Sequence, residues 1–228
     1  MVRPNVSIEG IRTEPDFIQN SACYLDYLTT SNGTLYRRLI DSDGLENLNP
    51  INGNARGNLL SGSAADDAML GNGGKDVLRG VGGNDFLLGG AAADGLYGGS
   101  GRDAMFGLES SDRLDGGLGN DRIYGGDGDD VLIGSTGADH LNGGAGADSF
   151  RFIQGFGTDR IVDFSAGEGD LIRLDARLWG GALTVDQVVS KFGSATGGDL
   201  RSSFRNGDQI LIQGLSDLAT IAESIVIL

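Results

Sequence analysis

The chain has one cysteine, Cys23, so no internal disulfide can brace it. It has 3 prolines against 41 glycines, which sets it apart from Pro-Gly-rich linkers, and the lack of a three-residue glycine period excludes collagen. No apolar run approaches the roughly 18 residues of a membrane-spanning helix. The first ten residues, Met1 to Gly10, contain no apolar stretch followed by a small-residue cleavage site, so an export signal is expected elsewhere than at the front. Basic residues are outnumbered, 17 to 32, for a formal net charge of -15. That balance repels nucleic-acid phosphates and anionic lipid and favours cations as partners. His140 is the only histidine, and neither His-Glu-x-x-His nor a Gly-x-Ser-x-Gly elbow is present.

What the chain has in abundance is a period. From Gly53 to Arg151 it reads as eleven consecutive nine-residue units with no insertion between them. Place one is glycine in every unit, from Gly53, Gly62 and Gly71 to Gly143. Place six is Asn58 in the first unit and aspartate in the other ten, Asp112 among them. Place eight is always apolar: Leu60, Met69, Leu78, Leu87, Leu96, Met105, Leu114, Ile123, Leu132, Leu141 and Phe150. One apolar residue between outward places seven and nine makes a three-residue strand with a single buried side chain. Such a unit cannot bury a core alone, so the units must stack. Glycines at places one, two and four permit the positive backbone torsions of a tight turn and let carbonyls converge. Carbonyls with one carboxylate per unit are hard oxygen donors, which suit Ca²⁺ better than zinc.

These residues resemble the Gly-Gly-x-Gly-x-Asp-x-apolar-x calcium-binding nonapeptides of RTX (repeats in toxin) proteins. The resemblance implies an all-β fold, a right-handed parallel β-roll in which two units make one coil and Ca²⁺ ions sit between turns of alternate units. The implied ligands are Asp67, Asp76, Asp85, Asp94, Asp103, Asp121, Asp130, Asp139 and Asp148. With them come Gly82, Gly83, Gly99, Gly101, Gly117, Gly119, Gly126, Gly128, Gly137, Gly144 and Gly146. Two edges are expected to differ. Units at 80, 98, 116 and 134 keep glycine at place four, whereas on the other edge Ala92 replaces one such glycine and Gly107-Leu-Glu-Ser-Ser-Asp112 departs at three places. Calcium is expected to be weak or absent around Asp112, and Arg56, Asn58 and Ala65 weaken the first coils.

The flanks divide the chain into residues 1–52, the nonapeptide roll 53–151, and a C-terminal β-rich cap 152–228. Residues 1–43 read as short strands and loops, including Cys23 to Leu28 and Thr34 to Ile40, and Gly44 to Asn52 as a degenerate capping turn. Strands at 158–164 and 169–175 are expected to continue the roll, and one of Asp159, Asp163, Asp170 and Asp175 is a candidate for a terminal Ca²⁺ site. Thr184-Val-Asp-Gln187 is a capping box for a short helix. Asn206-Gly207 marks a hairpin between Leu200 to Phe204 and Gln209 to Gln213, and Ser216 caps a second short helix.

At the end, Glu223 followed by Ile225, Val226, Ile227 and Leu228 resembles the uncleaved C-terminal signal of type I secretion; the plainer reading is a last core strand. The leading expectation is a secreted, extracellular module that folds on binding Ca²⁺, with Ca²⁺ ions and the type I secretion machinery as partners. The alternatives are the non-catalytic C-terminal part of a secreted RTX enzyme (protease, lipase, or polysaccharide epimerase or lyase), or an adhesion module that binds polysaccharide. Arg102, Arg113 and Arg122 read as offsetting acidic neighbours, with a polysaccharide face as the alternative; His140 reads as an outward surface residue and Cys23 as a buried hydrophobe.

Overall fold

The computed structural model describes residues 24–29, 35–40, 48–179, 184–190, 192–194, 199–204, 207–215 and 221–228. Two N-terminal strands, β1 (Tyr24–Thr29) and β2 (Leu35–Ile40), form an antiparallel pair with Tyr24 opposite Ile40. The roll then runs through β3 (Asn49–Asn52), β4 (Leu59–Ser61), β5 (Asp67–Gly73), β6 (Val77–Gly82), β7 (Phe86–Ala91), β8 (Gly95–Ser100) and β9 (Ala104–Glu109). It continues through β10 (Arg113–Leu118), β11 (Arg122–Asp127), β12 (Val131–Thr136), β13 (His140–Ala145) and β14 (Ser149–Phe152). The cap adds β15 (Thr158–Ile161), β16 (Leu171–Leu174), β17 (Phe192–Ser194), β18 (Leu200–Ser203), β19 (Gln209–Ile212) and β20 (Ile225–Ile227).

Even-numbered strands from β4 to β16, closed by β20, make an eight-stranded sheet, and odd-numbered strands from β3 to β15, extended by β19, β18 and β17, make a ten-stranded one. Successive strands therefore alternate between sheets, and each pairs in parallel with the strand two ahead. Leu96 lies beside Leu78 and Leu114, eighteen residues away on either side. The fold is a parallel β-solenoid whose coil is two units.

The strands are longer than the three residues expected. In β8, alternation carries on past the core residue Leu96: Tyr97 is half-buried, Gly98 is buried and Ser100 is exposed. Place one thus faces inward as well as place eight. The place-one glycines keep ordinary torsions, and the positive φ values fall at places two and four instead. Glycine is required at place one for room. A Cβ on Gly62 would stand 2.5 Å from the Gly80 carbonyl oxygen and 2.6 Å from Asp67 Oδ2, far inside van der Waals contact. At places two and four the left-handed torsion is imposed by the coil even on Val81 (φ 83°), Ala92 (φ 85°), Leu108 (φ 88°) and Ser110 (φ 79°), at a cost of about 1 kcal/mol or more each.

Every place-eight residue from Met69 to Phe150 is fully buried, and the file runs without a break into cap residues such as Phe152, Phe156, Ile172, Ile210 and Ile225. Phe156 links the two regions, with ring centroids 4.9 Å from Phe152 and 5.5 Å from Phe204. The capping turn is in frame: Ile51 in β3 pairs with Met69, and Pro50 sits on an edge strand, where a missing N–H is tolerated. The capping box is present, Thr184 Oγ1 accepting from the Gln187 N–H and Gln187 Oε1 from the Thr184 N–H, at the head of α1 (Val185–Val189). A 3-10 turn spans Ala176–Trp179, and β18 and β19 form the expected hairpin. The helix start at Ser216 and Cys23 lie outside the described residues.

Candidate metal centre

Each place-six aspartate closes a turn and opens the next strand, so its carboxylate stays at the edge of the roll, folded inward over the place-one glycine. One oxygen of each is committed to the backbone. Along the first edge, Asp85 Oδ1 accepts the Asp67 N–H at 2.8 Å, Asp103 the Asp85 N–H at 2.7 Å, Asp121 the Asp103 N–H at 2.8 Å and Asp139 the Asp121 N–H at 2.7 Å. Along the second, Asp76, Asp94, Asp112, Asp130 and Asp148 accept in the same way from Asn58, Asp76, Asp94, Asp112 and Asp130, at 2.6–2.8 Å. Both files outlast the repeats: Asp159 accepts from Asp139 at 3.0 Å, and Asp170 from Asp148 at 2.9 Å.

The other oxygen is left without a partner. Oδ2 of Asp76, Asp85, Asp94, Asp103, Asp112, Asp121, Asp130, Asp139, Asp148 and Asp159 is buried with no hydrogen bond. A buried carboxylate oxygen in that state costs several kcal/mol unless it is protonated or meets a cation. Burial is accordingly the main cause that lifts Asp85, Asp112 and Asp148 to about 7, and Asp121 and Asp130 to about 8. Asp159 is pushed to about 9 by burial and then by the neighbouring Asp139 charge. The ion pairs Arg113–Asp115 and Arg177–Asp175 lie outside both files.

Serines seal two of the four file ends. The second oxygen of Asp67 accepts from the Ser63 N–H at 2.7 Å and its hydroxyl at 3.0 Å, and that of Asp170 from the Ser165 N–H at 2.8 Å. The stretches with free oxygens are therefore Asp85 to Asp159 and Asp76 to Asp148. Among the other candidates, Asp163 spends both oxygens on the Gly143 and Gly144 N–H groups, and Asp175 is clasped by Arg177. Asp159 alone of the four keeps a free oxygen. Its place in the file does not show in the nonapeptide frame, because the step widens from 18 to 20 residues there.

Carbonyls complete the edge. Those of Gly83, Gly101 and Gly119 point at the bare Cα of Gly101, Gly119 and Gly137, and on the other edge Gly128 O faces Gly146. Val81, Gly99, Leu108 and Gly126 do the same at place two toward Gly99, Gly117, Gly126 and Gly144. Gly82 differs: it lies in β6 with an ordinary torsion, and its N–H donates to the Ser63 carbonyl. Among the described residues no three His, Cys, Asp or Glu side chains converge on one point. A cation here would therefore draw on backbone oxygens beside single carboxylates, a donor set that fits a hard ion of the calcium type. Around Asp112 the backbone path is kept by Leu108 and Ser110 despite their strain, and Asp112 is as buried as its neighbours. His140 is exposed, as an outward place-seven residue should be.

A second ladder has no counterpart among the expected ligands. Place-five side chains accept from the place-five N–H one coil later: Asp66 from Asn84 at 2.6 Å, Asn84 from Arg102 at 2.9 Å, Asn120 from Ala138 at 2.9 Å and Asp129 from Ala147 at 2.9 Å. Its signal in the sequence is the Asp or Asn at place five of several units.

No curated protein matches the chain. Among solved structures, the extracellular lipase LipA from Serratia marcescens is similar at 17% identity with a TM-score of 0.38, over 81% of this chain and 41% of that one. The chain thus spans less than half of that protein's length. The RTX calcium-binding nonapeptide repeat matches in four copies, over residues 49–78, 70–105, 106–139 and 124–151. Taken with the eighteen-residue coil and the two files of half-satisfied aspartates, this places residues 49–151 in the family of RTX calcium-binding nonapeptide repeats.

Proposed function

We propose that the chain is a module whose folding is driven by Ca²⁺ outside the cell and which serves the export and stability of the protein that carries it. The observation that carries this reading is the pair of files of buried, unpartnered Oδ2 atoms. Between Gly53 and Arg151 there are 15 acidic and 7 basic residues, a net of 7 - 15 = -8, and the roll stacks ten of those acids in two lines. Bound Ca²⁺ supplies the positive charge and oxygen coordination that this arrangement lacks. On the first edge Asp85, Asp103, Asp121 and Asp139, with the carbonyls of Gly83, Gly99, Gly101, Gly117, Gly119 and Gly137, would hold it. On the second, Asp76, Asp94, Asp130 and Asp148 would do so with Gly126, Gly128, Gly144 and Gly146, and more weakly around Asp112, where place four lacks glycine. Because the donors converge only in the coil, binding energy is folding energy. Millimolar Ca²⁺ outside a cell closes the roll, and cytosolic levels leave an extended chain that can be threaded.

The C-terminal segment fits the same scheme. Ile225–Ile227 is the last strand of the eight-stranded sheet, in parallel with β16, and the Leu228 N–H donates to Leu174 at 2.9 Å. The secretion-signal reading and the core-strand reading thus apply to one segment in two states: free for the type I machinery before the roll closes, a strand after it. The repeat module itself is a binding and folding element rather than a catalyst. Circular dichroism during a Ca²⁺ titration tests the proposal; strand signal already complete in excess chelator at neutral pH would sink it.

A further inference from the structure

The outward face of the ten-stranded sheet is unlike that of the eight-stranded sheet. In β7 the core side chain is Leu87, so Phe86 and Leu88 on either side of it face out, yet Phe86 is only 4% exposed. Its sheet neighbours at that register are Ala68 and Ala104, and two alanines, with the tilted Phe106 ring to one side, flank a phenylalanine ring without covering its outer face. Ala68 and Leu70, also outward, are 3% and 6% exposed. On the eight-stranded sheet the equivalent early residues are more open, with Leu59 at 69%, Arg79 exposed and Val77 half-buried. The covered patch is aromatic as well: Phe86, Phe106 and Tyr124 form a row with ring centroids 5.3 and 4.8 Å apart, the second pair stacked within 7°.

We propose that this patch is the docking surface for the chain's own N-terminal hairpin, β1 and β2. A lone two-stranded ribbon is marginal in water and needs an apolar surface to lie on. Eight of the twelve residues in β1 and β2 are apolar or aromatic: Tyr24, Leu25, Tyr27, Leu28, Leu35, Tyr36, Leu39 and Ile40. Reach is sufficient. β2 ends at Ile40 and β3 begins at Asn49, a gap that spans up to roughly 30 Å, while β5 and β7 lie about 5 and 10 Å from β3 across the sheet. The rival position, over the open end of the roll, is disfavoured because Leu59 is exposed there and Leu60 and Ile51 are only partly covered. Docking of this kind ties the order of the residues ahead of the repeats to closure of the roll.

Hydrogen exchange of the full chain in saturating Ca²⁺ tests this, read by mass spectrometry for residues 24–40 and, as an internal control, 96–141. In the native chain the hairpin amides are protected, and in Phe86→Asp they exchange about ten-fold faster or more while the control stays protected. A native hairpin that exchanges freely, or one equally protected in Phe86→Asp, overturns the proposal. Should Phe86→Asp unfold the roll, Cys23 serves as the second probe, being the only native thiol. A short bis-maleimide should join it within one chain to the Ala104→Cys position on the patch and not to the Leu59→Cys position at the open end. Linkage favouring Leu59→Cys, or linkage only between chains, overturns it as well.

Discussion

Asp103 accepts the Asp85 N–H through one carboxylate oxygen at 2.7 Å while its other oxygen is buried with no partner. The two halves of this side chain do different jobs, and substitutions can separate them. Asp103→Asn keeps an acceptor for the Asp85 N–H and removes the charge, so the metal-free fold should be no less stable and the Ca²⁺ midpoint should rise several-fold. Asp103→Ala also orphans that N–H, which costs a further 1–3 kcal/mol or so. Calorimetric titration and circular dichroism on the pair separate the effects; equal behaviour of both variants would show that the hydrogen bond is immaterial.

Acid should partly replace the metal. The aspartates at about 6 to 8 in the closed roll would titrate near 3.8 in an unfolded chain. Between those values the folded state binds more protons, so stability of the Ca²⁺-free roll falls as pH rises from about 4 through 8. In chelator, strand content should be greater at pH 5 than at pH 8. Affinity for Ca²⁺ should move the other way, rising with pH so that the midpoint falls, because protons and metal compete for the same oxygens. Chelated chain equally unfolded at both pH values would contradict this.

Place-one glycine should tolerate nothing. Gly62→Ala would press a methyl between Asp67 Oδ2 and the Gly80 carbonyl, an overpacking that costs about 1–3 kcal/mol before any effect on metal. Gly155→Ala meets no atom within 4 Å and pays only for its positive φ of 87°, about 1 kcal/mol. Thermal unfolding in Ca²⁺ should rank Gly62→Ala well below Gly155→Ala.

The turn before Asp112 should be repairable. Leu108 and Ser110 hold left-handed torsions, so Leu108→Gly with Ser110→Gly should stabilise the roll by about 1 kcal/mol or more. If Ca²⁺ is weak there in the native chain, the bound count measured by calorimetry should also rise. An unchanged count with a stabilised fold would show that the site was already filled.

Truncation in the place-eight core should cost most of all. Leu114→Ala empties a fully buried position in the middle of the file, and about 2–5 kcal/mol should go with it. A Ca²⁺ titration of this variant should close at higher metal, since the same coil must form against a larger deficit.

That the units must stack is legible in period and residue type alone, because an apolar residue alternating with glycine and aspartate cannot bury a core in one unit. The two-unit coil follows from the resemblance to RTX nonapeptides, whereas the strands after Phe150, the hairpin of β18 and β19 and the capping box at Thr184 follow from short-range rules. What the sequence hides is the direction in which side chains point at the turn. Place one looks like a turn residue because it is glycine, whereas it lies in a strand and is glycine because a carboxylate fills the space beside it. Asp159 drops out of register because two extra residues precede it. The shielding of Phe86 depends on residues distant in the chain, and no local pattern carries that.

The alternation of strands between two sheets limits how such a chain can change length. Deleting one nine-residue unit would send every later aspartate to the opposite edge and every later strand to the opposite sheet, setting the cap against the wrong partners. Deleting eighteen residues, such as 98–115, shortens each file by one carboxylate and leaves Ser63, Ser165 and the cap where they are. The roll is quantised: in insertion or loss, its smallest viable step is a whole coil.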